Sequence, residues 1–248
     1  MLKDRKSMVK LSVNVNKLAT LRNARGENNP DVLKAAKDIE SYGAHGITVH
    51  PRPDERHIRI ADVYAIKKNI QVEFNIEGYP SDDYISLVQN VAPTQATLVP
   101  DPPNVLTSDA GWEVEKNKTF LQTVVKQLKK NQTRVSIFID PYTVRDGELE
   151  LAKSMGVDRI ELYTKAFADA FKEGRQADVV KFYQTTAEKA FRLGLGINAG
   201  HDLSLDNLQY FVKSVPYLAE VSIGHALICD ALYFGLEETV KKYLKQLQ

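Results

Sequence analysis

The segment Gly46-Ile-Thr-Val-His-Pro-Arg-Pro-Asp-Glu-Arg-His57 gathers the densest set of reactive side chains in the sequence. Its first residues, Ile47-Thr-Val49, are apolar and β-branched and predict a buried strand. The run stops at His50, where Pro51 and Pro53 forbid a helix or an inner strand. Residues 50–57 then hold two imidazoles, two guanidiniums and two carboxylates. A strand end that delivers His50, Arg52, Arg56 and His57 to one place suits anion binding and proton transfer. The alternative for this stretch alone is a charged surface loop with ordinary ion pairs.

Such chemistry needs partners from other elements, and the chain repeats one unit that would supply them. Strand-like runs are expected at residues 11–16, 46–50, 71–76, 95–100, 134–140, 159–164, 194–200 and 220–225. They recur at roughly 25 to 35 residues with helical segments between, the rhythm of βα units in a parallel sheet. Eight units predict a closed (β/α)8 TIM barrel, a single α/β domain over residues 1–248, because closure removes both sheet edges. The alternative is an open doubly wound sheet, but no glycine-rich nucleotide loop follows the first strand. Asn29 and Pro30 suggest a helix start, with that helix ending at Gly43. Further helices are expected at 60–68, after a Ser81 cap, and at 116–130, 148–155 and 177–193. Two more would end at 215 and run unbroken over 226–247, and 165–175 reads as extra helix. Residues 101–112 are too long and Pro-rich for a minimal connector. They predict a mobile lid with Gly111 as hinge, and Trp112 as lid anchor or simple packing.

In a barrel of this kind the catalytic face lies at the C-terminal ends of the strands. The predicted ends carry Asn14, Asn16, His50, Asp140, His201 and His225, with Glu73 and Glu161 inside strands three and six. Four of the five histidines sit there; His45 falls in a helix-to-strand turn on the opposite face. The loops Ala-Gly-His-Asp202 and Ile-Gly-His225 follow strands seven and eight. Gly200 and Gly224 would let backbone N–H groups approach a phosphate, or would merely turn the chain. Arg22, Arg25, Arg52 and Arg56 suggest a second anion subsite. Burial would raise Glu73 towards a range useful for acid–base work, unless it is held in a buried ion pair. Glu161 is a parallel case. No His-x-His or His-Glu-x-x-His motif predicts a metal, and Cys229 reads as packed.

The 248 residues are 43% hydrophobic and 26% charged, ordinary for a globular chain. Thirty-three basic residues against 32 acidic give a net charge of +1. That argues against a broad nucleic-acid surface and leaves room for a local anion pocket. One cysteine permits no internal disulfide. No signal-peptide core and no apolar run near ~20 residues is present, so a cytoplasmic location and no membrane partner are expected.

Several blocks in order resemble the pyridoxine 5'-phosphate synthase family. They are Val13-Asn-Val-Asn-Lys-Leu-Ala-Thr-Leu-Arg-Asn-Ala-Arg-Gly26, the Gly46 to His57 segment, Leu98-Val-Pro100 with Thr107, Phe138-Ile-Asp140, Ile160-Glu-Leu-Tyr-Thr164, Asn198-Ala-Gly-His201 and Ile223-Gly-His225. The resemblance spans nearly the full chain. It implies a barrel that condenses two phosphorylated substrates, 1-deoxy-D-xylulose 5-phosphate and 3-amino-2-oxopropyl phosphate, without metal or organic cofactor. It implies His50 and Glu73 as proton acceptors, His201 as donor and Glu161 as an active-site acid. Asn14, Arg25, Gly224 and His225 would contact the aminoketone phosphate, and Arg52, His57 and Thr107 the other substrate. It also implies a homo-octamer built from dimers, with 165–175 one candidate contact. Asn16 and Lys17 stand where many members carry Asp-His, and Asp202 where they carry Gly. All three are read as substrate contacts, with Lys17 supplying positive charge. The competing functions are a sugar-phosphate isomerase or aldolase, and a silent phosphate-binding barrel.

Overall fold

The computed structural model describes residues 8–100 and 110–248. Among them, eight parallel strands close into one barrel in sequence order: β1 (Lys10–Asn14), β2 (Gly46–Val49), β3 (Glu73–Gly78), β4 (Gln95–Leu98), β5 (Arg134–Ile139), β6 (Arg159–Tyr163), β7 (Gly196–Gly200) and β8 (Leu218–Ile223). The pairing of Lys10 with Glu220 and of Val13 with Ile223 joins β1 to β8. Eleven α-helices accompany the described strands: α1 (Asn16–Asn23), α2 (Val32–Ser41), α3 (Ile60–Asn69), α4 (Asp82–Val91), α5 (Lys118–Leu128), α6 (Glu148–Ser154), α7 (Lys165–Lys172), α8 (Gln176–Arg192), α9 (Leu208–Ser214), α10 (His225–Phe234) and α11 (Leu236–Gln246). This is the predicted TIM barrel.

Strand alternation sorts the residues into two surfaces. Leu11, Val13, Ile47, Val49, Phe74 and Ile76 are fully or almost fully buried in the hydrophobic core, which also takes in Ala36, Ile39 and Val63 from α2 and α3. The alternate positions form a polar barrel interior. Ser12 and Thr48 hydroxyls are 2.7 Å apart, Asn75 donates to Thr48 at 3.3 Å, and Thr97 donates to Asn75 at 3.0 Å. Asn198 donates to Glu220 at 3.1 Å and accepts from Arg159 at 2.9 Å. These groups find their partners inside the barrel, which is what makes a polar interior tolerable, while Ser136 Oγ and Glu161 Oε2 are buried without one.

Four local expectations change. The first long helix begins at Val32, not at the Asn29-Pro30 step, because the Asp31 side chain accepts from Lys34 N at 3.0 Å and caps it. The final helix is two helices, broken at Gly235 with φ +78°. Strand three runs two residues further than predicted, to Gly78. Gly111 is not placed as a hinge: a Cβ there would lie 2.2 Å from Asp140 N, so it sits tight against the end of β5. Trp112 is an anchor, its Nε1–H donating to Leu98 O at 2.9 Å and its ring stacking on Tyr79. Residues 101–109 of the expected lid, Thr107 included, lie outside the described residues.

Candidate active site

The C-terminal ends of the strands surround a cavity of about 660 Å³. Asn14, Asn16, Lys17, His50, Arg52, His57, Glu161, His201, Asp202, Gly224 and His225 all line it, as the sequence suggested. Thr107 is outside the described residues. Two expected members do not line the cavity. Arg25 is exposed just beyond α1 and lies off the lining. Glu73 is the first residue of β3, at the opposite end of the barrel.

Glu73 needs a physical correction. Its carboxylate is paired with both Lys10 and Arg134. Burial pushes it up, but these two cations outweigh that and hold it down at about 2. It is a permanent anion in an ion-pair cluster on the barrel floor. Glu77, four residues on and on the same inner face, occupies the rim instead. The signal lay in Gly78-Tyr-Pro-Ser81: Ser81 caps α4 by accepting from Tyr84 N at 3.2 Å, which leaves the strand free to run to Gly78. Arg56, expected in the second anion subsite, lines the cavity too, and Lys165 and Ser222 line it beyond the expected set.

The rim is built from short, reinforcing contacts. The Asn14 side-chain oxygen accepts from Asn16 N at 3.0 Å, and the Asn16 oxygen accepts from His50 N at 2.9 Å. Asn16 thus fixes the backbone at His50. The Asn14 amide also donates to Glu77 at 3.4 Å. His50 Nδ1 lies 3.9 Å from Glu77 Oε2. Burial pulls His50 down to about 3, helped by Arg52, His57 and Arg56, so the ring is neutral near pH 7. Burial pushes Glu77 up to about 7, with nearby His201 opposing. Burial, with Glu77 and Glu220 as like charges, raises Glu161 well above the carboxylate range. Its Oε2 is buried without a hydrogen-bond partner, fitting a protonated acid.

His57 accepts from Ile58 N through Nδ1 at 2.9 Å, which leaves Nε2 to carry the ring's proton. Burial first, then Arg52 and Lys17, lower it to about 4. Arg22, expected in the anion subsite, is instead buried and paired with both Asp62 oxygens, at 2.6 and 2.9 Å. The two loop glycines serve close packing. A Cβ at Gly200 would meet Glu161 Oε1 at 2.5 Å, and one at Gly224 would meet Asn14 Cβ at 3.0 Å. Gly224 also opens α10, whose N-terminus borders the cavity beside His225. Cys229 Sγ lies 3.6 Å from His225 Nε2, partly exposed, in place of the expected packed position. His45, on the opposite face, accepts from Leu11 N at 3.1 Å through Nδ1.

A closed parallel barrel whose strand ends converge on imidazoles and protonatable carboxylates defines a TIM-barrel enzyme. The family model described as "Pyridoxal phosphate biosynthesis protein PdxJ" matches residues 11–248, and the chain belongs to that family. A pyridoxine 5'-phosphate synthase from Christiangramia forsetii is 57% identical over 241 residues, covering 97% of this chain and 100% of the relative. One from Porphyromonas gingivalis is 57% identical over 240 residues, covering 97% and 99%. A tryptophan synthase structure from M. tuberculosis superposes with a TM-score of 0.65 at 10% identity, covering 97% and 94%. The dimeric phosphoribosylanthranilate isomerase of Thermotoga maritima, as mutually generated monomers, gives 0.59 at 12%, covering 97% and 98%. These structures share the fold.

Proposed function

We propose that this chain is a pyridoxine 5'-phosphate synthase that joins 3-amino-2-oxopropyl phosphate to 1-deoxy-D-xylulose 5-phosphate. The ring closure releases inorganic phosphate and water. The observation that carries the reading is the contact of neutral His50 with Glu77, a carboxylate poised near pH 7, beside the raised Glu161. Amine addition, dehydration and carbon–carbon bond closure each take or give a proton, and a set of groups with separated pKa values can serve them in turn. His50 and Glu77 act as proton acceptors, with Glu77 replacing Glu73 in that role. Glu161 acts as a buried acid and His201 as a donor. The α10 N-terminus with Gly224 and His225 holds one phosphate. Lys17, Arg52 and His57 hold the other substrate's phosphate. No metal or organic cofactor takes part, and the enzyme works in the cytoplasm as a homo-octamer, a tetramer of dimers.

The test mixes purified protein with both substrates and with each alone, following ring formation by absorbance and phosphate by assay. Product should need both substrates, with one phosphate released per ring. Rearrangement of either substrate alone would instead indicate an isomerase. Tight binding of phosphate esters without turnover would indicate a silent barrel.

A further inference from the structure

We infer that Asp202 is a positioning residue that orients the His201 ring and fixes which of its nitrogens carries the proton. The inference rests on the proposed reaction for its kinetic part. His201 Nδ1 and Asp202 Oδ2 are 2.5 Å apart, and both residues line the cavity. With a carboxylate as acceptor, Nδ1 must be the donor, so Nε2 is left for the cavity. Adjacent residues rarely meet this way, and here the backbone explains it. His201 has φ +98°, a region that non-glycine residues seldom occupy.

Three further contacts hold that turn. Asp202 N–H donates to Thr164 Oγ1 at 3.1 Å, while Thr164 Oγ1 donates to Gly200 O at 2.7 Å. Asn207 Nδ2 donates to Asp202 O at 3.2 Å. Tyr163 packs edge-on to the imidazole at 5.2 Å between centroids. The backbone of Asp202 is thus tied down by Thr164, between β6 and α7, and by the residue preceding α9, and its side chain is left to meet His201. Burial pushes the Asp202 carboxyl up, but the hydrogen bond to His201 and the charges of Lys165 and Lys172 from α7 bring it below its usual value. A permanent anion on the wall would repel a phosphate, so a direct phosphate contact is the poorer use of this side chain. Glu77 of β3 interacts electrostatically with His201, and Glu161 and Lys165 line the same cavity. The turn after β7 therefore supplies a carboxylate orienter in the manner of a histidine–aspartate pair.

The experiment needs no substrate in its first arm. Nitrogen-15 spectra of the histidine side chains are recorded against pH for the wild type, Asp202→Asn and Asp202→Glu, with His201 assigned by its loss in His201→Gln. In the wild type, neutral His201 should be the Nδ1–H tautomer. In Asp202→Asn the Nε2–H tautomer should gain population, and Asp202→Glu should restore the Nδ1–H form in part. The second arm measures turnover. Asp202→Asn should lower kcat roughly tenfold with KM within about twofold. A wild-type His201 found as the Nε2–H tautomer would overturn the inference even if the variants fail to fold. So would an unchanged tautomer in Asp202→Asn, or a rise in KM at constant kcat. Absence of wild-type turnover would sink the proposed reaction while leaving the spectroscopic result standing.

Discussion

Two glutamates on one strand separate the work of chemistry from the work of holding the barrel together. Glu77→Gln should lower turnover by roughly 10²-fold or more, because the amide cannot accept a proton. Glu73→Gln should leave kcat within a few fold and cost on the order of 1–3 kcal/mol, since Lys10 and Arg134 lose their shared anion. Steady-state kinetics beside thermal melts of both variants separate the roles, and a kinetic collapse in Glu73→Gln would reverse them. The pH dependence has a definite sign. Glu77 is held at about 7 in the folded protein against an ordinary 4.5. Its folded form binds the proton more tightly, so its stabilising contribution is present below about 4.5 and is lost as pH rises through about 7. Glu77→Gln removes that loss. The variant should therefore gain stability relative to wild type as pH goes from 5 to 8, by at most on the order of 3 kcal/mol. A stability difference flat across that range would mean Glu77 is not perturbed. Lys17 borders the cavity with an exposed side chain. Lys17→Ala should raise KM about tenfold with little change in kcat, and the reverse pattern would place Lys17 in the chemistry.

At the scale of elements, periodicity found all eight strands and most helices, because burial on alternating or helical faces is written directly in residue order. It placed the ends less well. Strand three was displaced by two residues because Gln71-Val72 looks at least as strand-like as Glu77-Gly78, and which pair lies in the sheet is settled by pairing with β2 and β4. That displacement alone put the wrong glutamate in the site. The helix α1 was missed because Asn16 and Lys17 read as a strand end. The partner of His201 was within one residue, yet no spacing rule points to a contact between neighbours; it depends on a positive φ at a histidine. Gly111 shows the same limit, since only the fold brings it against Asp140. Gly111→Ala should cost about 1–3 kcal/mol, read as a fall of several degrees in Tm. An unchanged Tm would show that the β5 end yields easily.

For the whole molecule, a conspicuous apolar run lies on the surface among the described residues. Leu232, Tyr233 and Phe234 at the end of α10 are 73%, 87% and 51% exposed. Large apolar side chains clustered in this way usually mark an interface, and they support the proposed assembly. Light scattering should give a mass well above 27.9 kDa, and Leu232→Asp with Tyr233→Asp should lower it while the melting transition persists. A 27.9 kDa species for the wild type at working concentration would remove the oligomer.

The space at Gly200 is already taken. The Glu161 carboxylate fills the volume that a side chain at Gly200 would take, at 2.5 Å from the nearest possible Cβ. The two positions are therefore coupled: a side chain at 200 must displace the Glu161 carboxylate, and Ser222 O, 3.0 Å from the same point, narrows the room further. Substitution at 161 thus changes what position 200 can hold, so the effects of varying both together are not the sum of varying each alone.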